Sequence, residues 1–220
     1  AEHSIDFETY ILLADAIGER FCNIFIQKAR AGIRVRMLLD MAGSSAFSGS
    51  QMVTDLQDAG VQIALHRPIR YWKVWNAVSY FFRDHRKLLI IDQRIAHIGG
   101  VNIGEHMRSW RDAHIRLEDI IAEHATRAFE MLWYRLKIFR RKNSKPAPPI
   151  DGFQLVTNAP LFHRHWAIRA LNRQLRAARA SVWLTTPYFV PTPLLLRRLN
   201  SLASRGVDVR LLIPATSDIK

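Results

Sequence analysis

A duplicated segment limits the fold of this chain more than any other feature. Residues 29–39 (ARAGIRVRMLL) align without a gap on residues 203–213 (ASRGVDVRLLI), at an offset of 174, and five of the eleven positions are identical. The alignment continues upstream, where residues 10–13 fall on residues 184–187. Each copy has the pattern of a strand, a helix, a glycine that ends the helix and an alternating strand. The duplication therefore predicts two similar α/β halves, each containing a βαβ unit.

The repeat also predicts that the sequence is a piece of a longer protein. A strand predicted at 153–157 and a helix predicted at 166–178 have no counterparts in the first half, because the offset places them before residue 1. The first residue is Ala rather than Met, which agrees with truncation at both ends. The expected divisions are a first half at 1–142, a Pro-rich linker at 143–150 and the start of a second half at 151–220.

A long helix is predicted between the halves, over about residues 119–141. Its apolar residues recur at spacings of three and four, which is the pattern of a helix with one buried face. The cations of residues 140–142 suit the C-terminal end of a helix, and a lipid contact is the alternative interpretation. The predicted buried stripe consists of Ile121, Ala125, Ala128, Leu132, Leu136 and Phe139.

One short apolar strand carries most of the chemistry. His85 and Lys87 have the same strand parity, so their side chains share a face, while Leu88 to Ile91 bury the strand in a sheet. Asp92 has the opposite parity and begins a predicted turn, where its carboxylate leaves the sheet and is available to orient an imidazole. Each residue alone is more often structural than catalytic. Together they suit a nucleophile and a phosphate anchor.

A glycine pair and an asparagine extend this motif. Gly99 and Gly100 are expected to let the backbone approach a ligand, and Asn102 is a candidate, with Lys87, to stabilise the charge of phosphate oxygens. The whole pattern, H-x-K-x4-D-x6-G-G-x-N, resembles the signature of the phospholipase D superfamily, with Gly100 in place of the commoner Ser. The candidate catalytic residues are therefore His85, Lys87 and Asp92.

Further segments resemble the cardiolipin synthase branch of that superfamily, over nearly the whole chain. The resemblance implies a phospholipase D-like fold of two pseudo-repeated halves with mixed sheets flanked by helices. It implies transfer of a phosphatidyl group from phosphatidylglycerol to histidine and then to another lipid's hydroxyl, with no cofactor or metal. It also places Arg111 and Tyr188 near the substrate, although core packing is an alternative for Tyr188. These segments are residues 29–40, 85–92, 99–106, 110–114 and 186–191.

The reaction requires two acid–base or nucleophilic groups. A histidine that attacks phosphorus divides one displacement into two, and a second group must protonate the leaving alcohol and deprotonate the incoming one. The resemblance implies that a second motif supplies this group, near position 259 by the repeat offset. His85 is therefore the nucleophile or its acid partner, and residues 1–220 alone are expected to be inactive.

The charge of the chain limits its partners. A net charge of +13 and a pI near 10.7 favour an anionic partner, which is nucleic acid, acidic lipid or a phosphate ester. The aromatic and basic segment 69–83 suits the headgroup region of a membrane, and a packed loop over the site is the alternative. The sequence has no apolar run of 18 residues, so membrane contact is expected to be peripheral, at the cytoplasmic face.

Two function classes compete with lipid transfer. Nuclease relatives share the catalytic pattern, so a phosphodiesterase acting on nucleic acid is the alternative enzyme. A non-catalytic α/β module is the third interpretation. The single cysteine, Cys22, falls in a predicted helix and favours a reducing compartment. His163 and His165 lack partners for a metal site and are interpreted as non-catalytic.

Overall fold

The computed structural model describes residues 1–66, 83–138, 153–156 and 164–215. The chain divides into two compact units, residues 1–162 and residues 163–220. The first unit contains strands β1 (Ser4–Thr9), β2 (Arg34–Asp40), β3 (Gln62–His66), β4 (Leu88–Ile91), β5 (Ile95–Gly99) and β6 (His114–Glu118), with helices α1 (Ala16–Arg30), α2 (Ser45–Ser48), α3 (Gln51–Asp58) and α4 (Asp119–Ile138). The second contains α5 (Arg164–Ala177), β7 (Ser181–Thr185), α6 (Pro193–Ser204) and β8 (Asp208–Leu212).

The six strands described in the first unit form one mixed sheet in the order β3-β2-β1-β4-β5-β6. Strands β1, β2 and β3 are parallel, whereas β4 is antiparallel to β1 and β5. The carboxyl ends of the parallel strands, with Tyr10, Asp40 and His66, therefore lie at one edge. Because β4 runs the other way, its N-terminal approach brings His85 and Lys87 to the same edge. The mixed sheet flanked by helices confirms the predicted α/β fold class.

The two faces of this sheet differ in chemistry. One face packs an apolar core with α1 and α3, in which Phe7, Phe25 and Met37 are buried. The other face packs on α4 and carries buried charge as well as apolar side chains. There Arg36 lies 2.6 Å from Asp6 and 2.6 Å from Glu130 of α4. The paired carboxylates offset the cost of burying the guanidinium between sheet and helix.

The second unit repeats the βαβ pattern. Gly32 and Gly206, at the predicted offset of 174, follow α1 and α6 and have φ angles of 84° and 83°. The alignment upstream needs a correction of three residues. Ser4 pairs with Arg34 and Ser181 with Asp208, so the first strands are 177 residues apart and the second strands 174. The helix α6 also begins three residues later than α1 plus the offset, so the helix and following strand hold the repeat together more closely than the first strand does.

Other sequence predictions have mixed outcomes. Helix α4 begins at the predicted residue, and Ala125, Ala128 and Leu132 of its predicted stripe are buried. Residues 153–156 form no strand, and only Phe153 makes an isolated bridge. The linker 143–150, the cations 140–142, Phe139, the aromatic segment apart from Arg83, His163 and the His165 side chain lie outside the described residues. None of the helices in the described ranges has the length and apolar character needed to cross a bilayer.

Candidate active site

His85 and Lys87 lie together where β1 ends and β4 begins. The imidazole of His85 stacks on the ring of Tyr10, with the ring centroids 3.9 Å apart. The Nζ of Lys87 donates a hydrogen bond to the backbone carbonyl of His85 at 2.8 Å and lies 5.4 Å from the centre of the Tyr10 ring. Arg86, between them, turns to the opposite face and donates to the carbonyl of Ala128 in α4. The shared face of His85 and Lys87 follows from strand parity, as the sequence predicts.

The surroundings set the protonation of this pair. His85 is exposed on one side and covered by Tyr10 on the other, and partial desolvation, followed by the charge of Lys87, lowers the pKa of its imidazole. Burial also lowers the pKa of Lys87, although the charges of Asp84 and Asp112 oppose this effect. A neutral imidazole has a lone pair available for attack, and a desolvated ammonium interacts strongly with an anionic phosphate. The pair therefore suits nucleophilic attack on phosphorus.

Asp40 forms a buried junction below His85, at the end of β2. Its Oδ2 accepts a hydrogen bond from the backbone N–H of Asp84 at 3.0 Å and lies 3.2 Å from Nδ1 of His66. Its Oδ1 lies 3.6 Å from the guanidinium of Arg83. Although burial acts to raise the pKa of Asp40, the hydrogen bonds and Arg83 outweigh it and lower that pKa. A charged Asp40 thus holds the residue directly before His85.

A second buried group anchors the residues on either side of His85. The Nε of Arg86 lies 2.6 Å from Glu8 in β1 and donates a hydrogen bond to Asp84 at 3.2 Å. Burial raises the pKa of Glu8 well above its usual range. The pKa of Asp84 is lowered because Arg86 and a hydrogen bond from Glu8 outweigh its burial. Glu8 is therefore protonated and shares its proton with Asp84, which leaves one negative charge beside one guanidinium.

Gly99 and Gly100 make room for two side chains. A Cβ atom at Gly99 would lie 2.8 Å from Cγ of His114, and one at Gly100 would lie 2.8 Å from Cγ of Asp112 and closer still to its Oδ1. The sequence predicts that this pair admits a ligand, but here His114 and Asp112 take the space. Asp112 fills the position where the superfamily commonly has a serine side chain.

Asp112 and His114 add charge to the site beyond the predicted residues. Partial desolvation lowers the pKa of His114, Asp112 opposes this, and Lys87 lowers that pKa further. These three groups therefore lie within electrostatic reach of one another. Sequence reasoning did not select His114 as a site residue, although its place at the start of β6, opposite Gly99, is a usable signal. In the described parts of the chain, no group of three or more His, Cys, Asp or Glu side chains is arranged to hold a metal ion.

The three remaining predicted substrate contacts have different settings. Asn102 uses its Oδ1 to accept a hydrogen bond from the backbone N–H of Ile11 at 3.2 Å, which ties the loop after β5 to the end of β1. Arg111 is exposed in the loop before β6. Tyr188 is exposed in the second unit, where its backbone bonds to the hydroxyl of Thr186. Substrate contact by these three residues stays a prediction.

The structure does not bring Asp92 to His85. Asp92 follows β4, whose four residues separate the two by about 13 Å of extended chain. Its carboxylate accepts hydrogen bonds of 2.7 to 2.8 Å from the backbone N–H groups of Glu2, His3 and Ser4. These bonds outweigh desolvation and lower the pKa of Asp92 to about 2. Asp92 therefore fastens the start of β1 to the far end of β4 rather than orienting the imidazole of His85.

Solved structures with this fold include two enzymes. Phosphatidylserine synthase of Haemophilus influenzae superposes with a TM-score of 0.69 at 15% identity, over 97% of this chain and 56% of that one. Polyphosphate kinase of Porphyromonas gingivalis superposes with a TM-score of 0.60 at 13% identity, over 99% of this chain and 34% of that one. At these identities the likeness establishes the phospholipase D-like fold alone.

Sequence comparison identifies the family. The cardiolipin synthase, PLD-like domain family matches residues 1–133 and 171–220, so the chain belongs to it. The chain is 32% identical to the cardiolipin synthase of Geobacillus kaustophilus over its whole length, which covers 46% of that protein. It is also 32% identical to the cardiolipin synthase of Halalkalibacterium halodurans, over 99% of this chain and 46% of that protein. The chain thus spans about half the length of these curated relatives.

Proposed function

We propose that the protein is a phosphatidyltransferase of the cardiolipin synthase type, acting on phosphatidylglycerol through a phosphohistidine at His85. The observation that carries this proposal is the exposed imidazole of His85 beside the buried ammonium of Lys87, both against Tyr10. The lowered pKa of His85 favours the nucleophile role over the acid role, since a nucleophile must be neutral.

The reaction takes place in two displacements. A ring nitrogen of His85 forms a bond to phosphorus, the bond from phosphorus to the glycerol oxygen breaks, and the departing oxygen takes a proton from an acid. The hydroxyl of a second lipid then attacks phosphorus, gives its proton to the same group, and the phosphorus–nitrogen bond breaks. Lys87 stabilises the non-bridging oxygens in both steps. We assign the acid–base role to a second histidine in the region of the longer relatives that this chain does not match.

The membrane surface is the proposed partner. The relatives named cardiolipin synthase support a lipid substrate, and the net charge of +13 favours an anionic bilayer, so we place the protein peripherally at the cytoplasmic face. Binding to vesicles containing phosphatidylglycerol should exceed binding to phosphatidylcholine vesicles and weaken as salt is added. Equal binding to both kinds of vesicle would contradict this part of the proposal.

The test is a labelled-substrate experiment on the full-length protein. Phosphatidylglycerol labelled in its phosphate is presented in vesicles, and cardiolipin, free glycerol and acid-labile label on the protein are measured. The proposal expects all three, with protein label absent from His85→Gln. A parallel incubation with labelled single-stranded DNA examines the nuclease alternative. Cleavage of the DNA with the lipid unchanged would overturn the proposed function.

A further inference from the structure

The residues that fix His85 in place come from two strands distant in sequence. Tyr10 follows β1 and covers one side of the imidazole, with the ring planes 26° apart. Asp40 ends β2 and is completely buried. Its Oδ2 holds the backbone N–H of Asp84. The sequence motif includes neither Tyr10 nor Asp40, and both precede it by more than forty residues.

We propose that Tyr10 and Asp40 are positioning residues that clamp His85, Tyr10 by stacking on the imidazole and Asp40 by fixing the backbone immediately before it. The proposal rests on His85 being the nucleophile of the proposed function. An imidazole on an exposed strand approach has rotamer freedom that does not favour attack. Stacking removes that freedom for the ring, and the Asp40 hydrogen bond removes it for the backbone.

Asp40 is itself held from several directions, which makes it a rigid support. His66 of β3 approaches Oδ2 at 3.2 Å, Arg83 lies 3.6 Å from Oδ1, and the backbone N–H of Ala42 donates to Oδ1 at 2.9 Å. A carboxylate with this many partners cannot rotate without breaking several contacts. The backbone of Asp84 therefore has a fixed anchor, and Asp84 in turn is bound by Arg86.

The two members of the clamp act on His85 with opposite electrostatic sign. The Tyr10 ring shields the imidazole from water, and desolvation lowers the pKa of His85. The negative charge of Asp40 acts in the other direction and raises that pKa. Losing the ring should therefore raise the pKa of His85, whereas losing the charge should lower it. The groups that face the imidazole and contribute to its titration are Tyr10, Asp40, Asp84 and Lys87.

The test measures the pKa of His85 by NMR titration of the protein, with His85→Gln used to assign its resonance among nine histidines. Tyr10→Ala should raise the pKa of His85, Asp40→Asn should lower it, and Tyr10→Phe, which keeps the stacking, should leave it unchanged. Asp6→Asn is the matched control, because Asp6 is a buried carboxylate of the same sheet that pairs with Arg36 instead. It should cost stability without moving the pKa of His85.

Kinetics provide the second readout. We expect Tyr10→Ala and Asp40→Ala to lower the rate of protein labelling by phosphatidylglycerol about 10- to 100-fold, with KM changed less than threefold, since misplacing a reacting group by about 1 Å has effects of this size. Tyr10→Phe should restore the rate. Labelling at the wild-type rate in Tyr10→Ala, or pKa shifts of the same sign in Tyr10→Ala and Asp40→Asn, would overturn the clamp.

The outcomes separate this proposal from the proposed function. If His85→Gln keeps full transfer activity, the proposed function fails, while the NMR titration still judges the clamp. If His85→Gln abolishes transfer but both clamp variants behave as wild type, only the clamp fails. Thermal unfolding of each variant confirms that the protein measured is folded.

Discussion

The two ends of β4 carry motif residues of similar polarity but different settings. At the N-terminal end, His85 is open to solvent on one side and Lys87 is buried beside it. At the C-terminal end, the Asp92 carboxylate is fully engaged by three backbone N–H groups of residues 2–4. A group with an open side is available for chemistry, whereas a group with all its bonds made within the chain stabilises the fold. The difference indicates that the motif combines a reacting end with a fastening end.

The largest expected effect separates these ends by histidine substitution. His85→Ala should lower transfer activity at least about 1000-fold, because the nucleophile is lost and the remaining site only binds and polarises the substrate. His3→Ala removes an exposed imidazole at the opposite end of the strand and should leave activity unchanged. Initial rates of cardiolipin formation measure both. Activity of His85→Ala within tenfold of wild type would contradict the assignment of the reacting end.

The next effect concerns Lys87. Lys87→Ala should remove about 2 to 4 kcal/mol of transition-state stabilisation, as found when one preorganised donor is lost, which is about 30- to 1000-fold in kcat. Separate determination of kcat and KM with phosphatidylglycerol vesicles measures this effect. If KM alone increased, Lys87 would bind substrate and transition state equally, and the reacting end would consist of His85 without its cation.

A smaller effect is expected at the glycine pair beside the reacting end. Gly100→Ser should lower kcat about tenfold, because the new Cβ would displace the Asp112 carboxylate and alter the charge around Lys87. Gly49→Ser is the control, since a Cβ there meets nothing within 4 Å. The double variant Gly100→Ser with Asp112→Gly removes the clash. If Gly100→Ser were as active as wild type, the packing of Asp112 on Gly100 would have no bearing on catalysis.

The smallest effect belongs to the fastening end. Asp92→Asn should lower the free energy of unfolding by about 1 kcal/mol, a modest value because the group is near solvent, and leave activity per folded molecule within about twofold. The carboxylate has a folded pKa of about 2 and an unfolded pKa of about 3.9, so its contribution is complete above pH 4 and is lost as the pH falls towards 2.

Denaturant unfolding of wild type and Asp92→Asn between pH 2 and pH 6 measures this prediction. The difference between the two proteins should be constant from pH 5 to pH 6 and disappear near pH 2. Asp119→Asn changes an exposed carboxylate beside the neighbouring turn, 3.9 Å from Arg94, and should have no measurable effect. Loss of activity in folded Asp92→Asn, with unchanged stability, would transfer Asp92 to the reacting end.

The sequence by itself determined the local structure and the parity of the site. The repeat located α1 with β2 and α6 with β8, and the start of α4 was predicted to the residue. The shared face of His85 and Lys87 followed from alternation along a strand. These features depend on interactions between residues close in sequence, so the period of apolar residues and the position of a glycine were sufficient to predict them.

Only the tertiary structure decided which groups surround the motif. Tyr10 reaches His85 because β4 inserts antiparallel beside β1, and Asp112 reaches Gly100 because β6 pairs with β5. Strand order is a contact between distant parts of the chain, and no local period encodes it. The position of Asp92 was missed for the same reason, since its partners are backbone N–H groups about ninety residues away and backbone groups leave no mark in side-chain patterns.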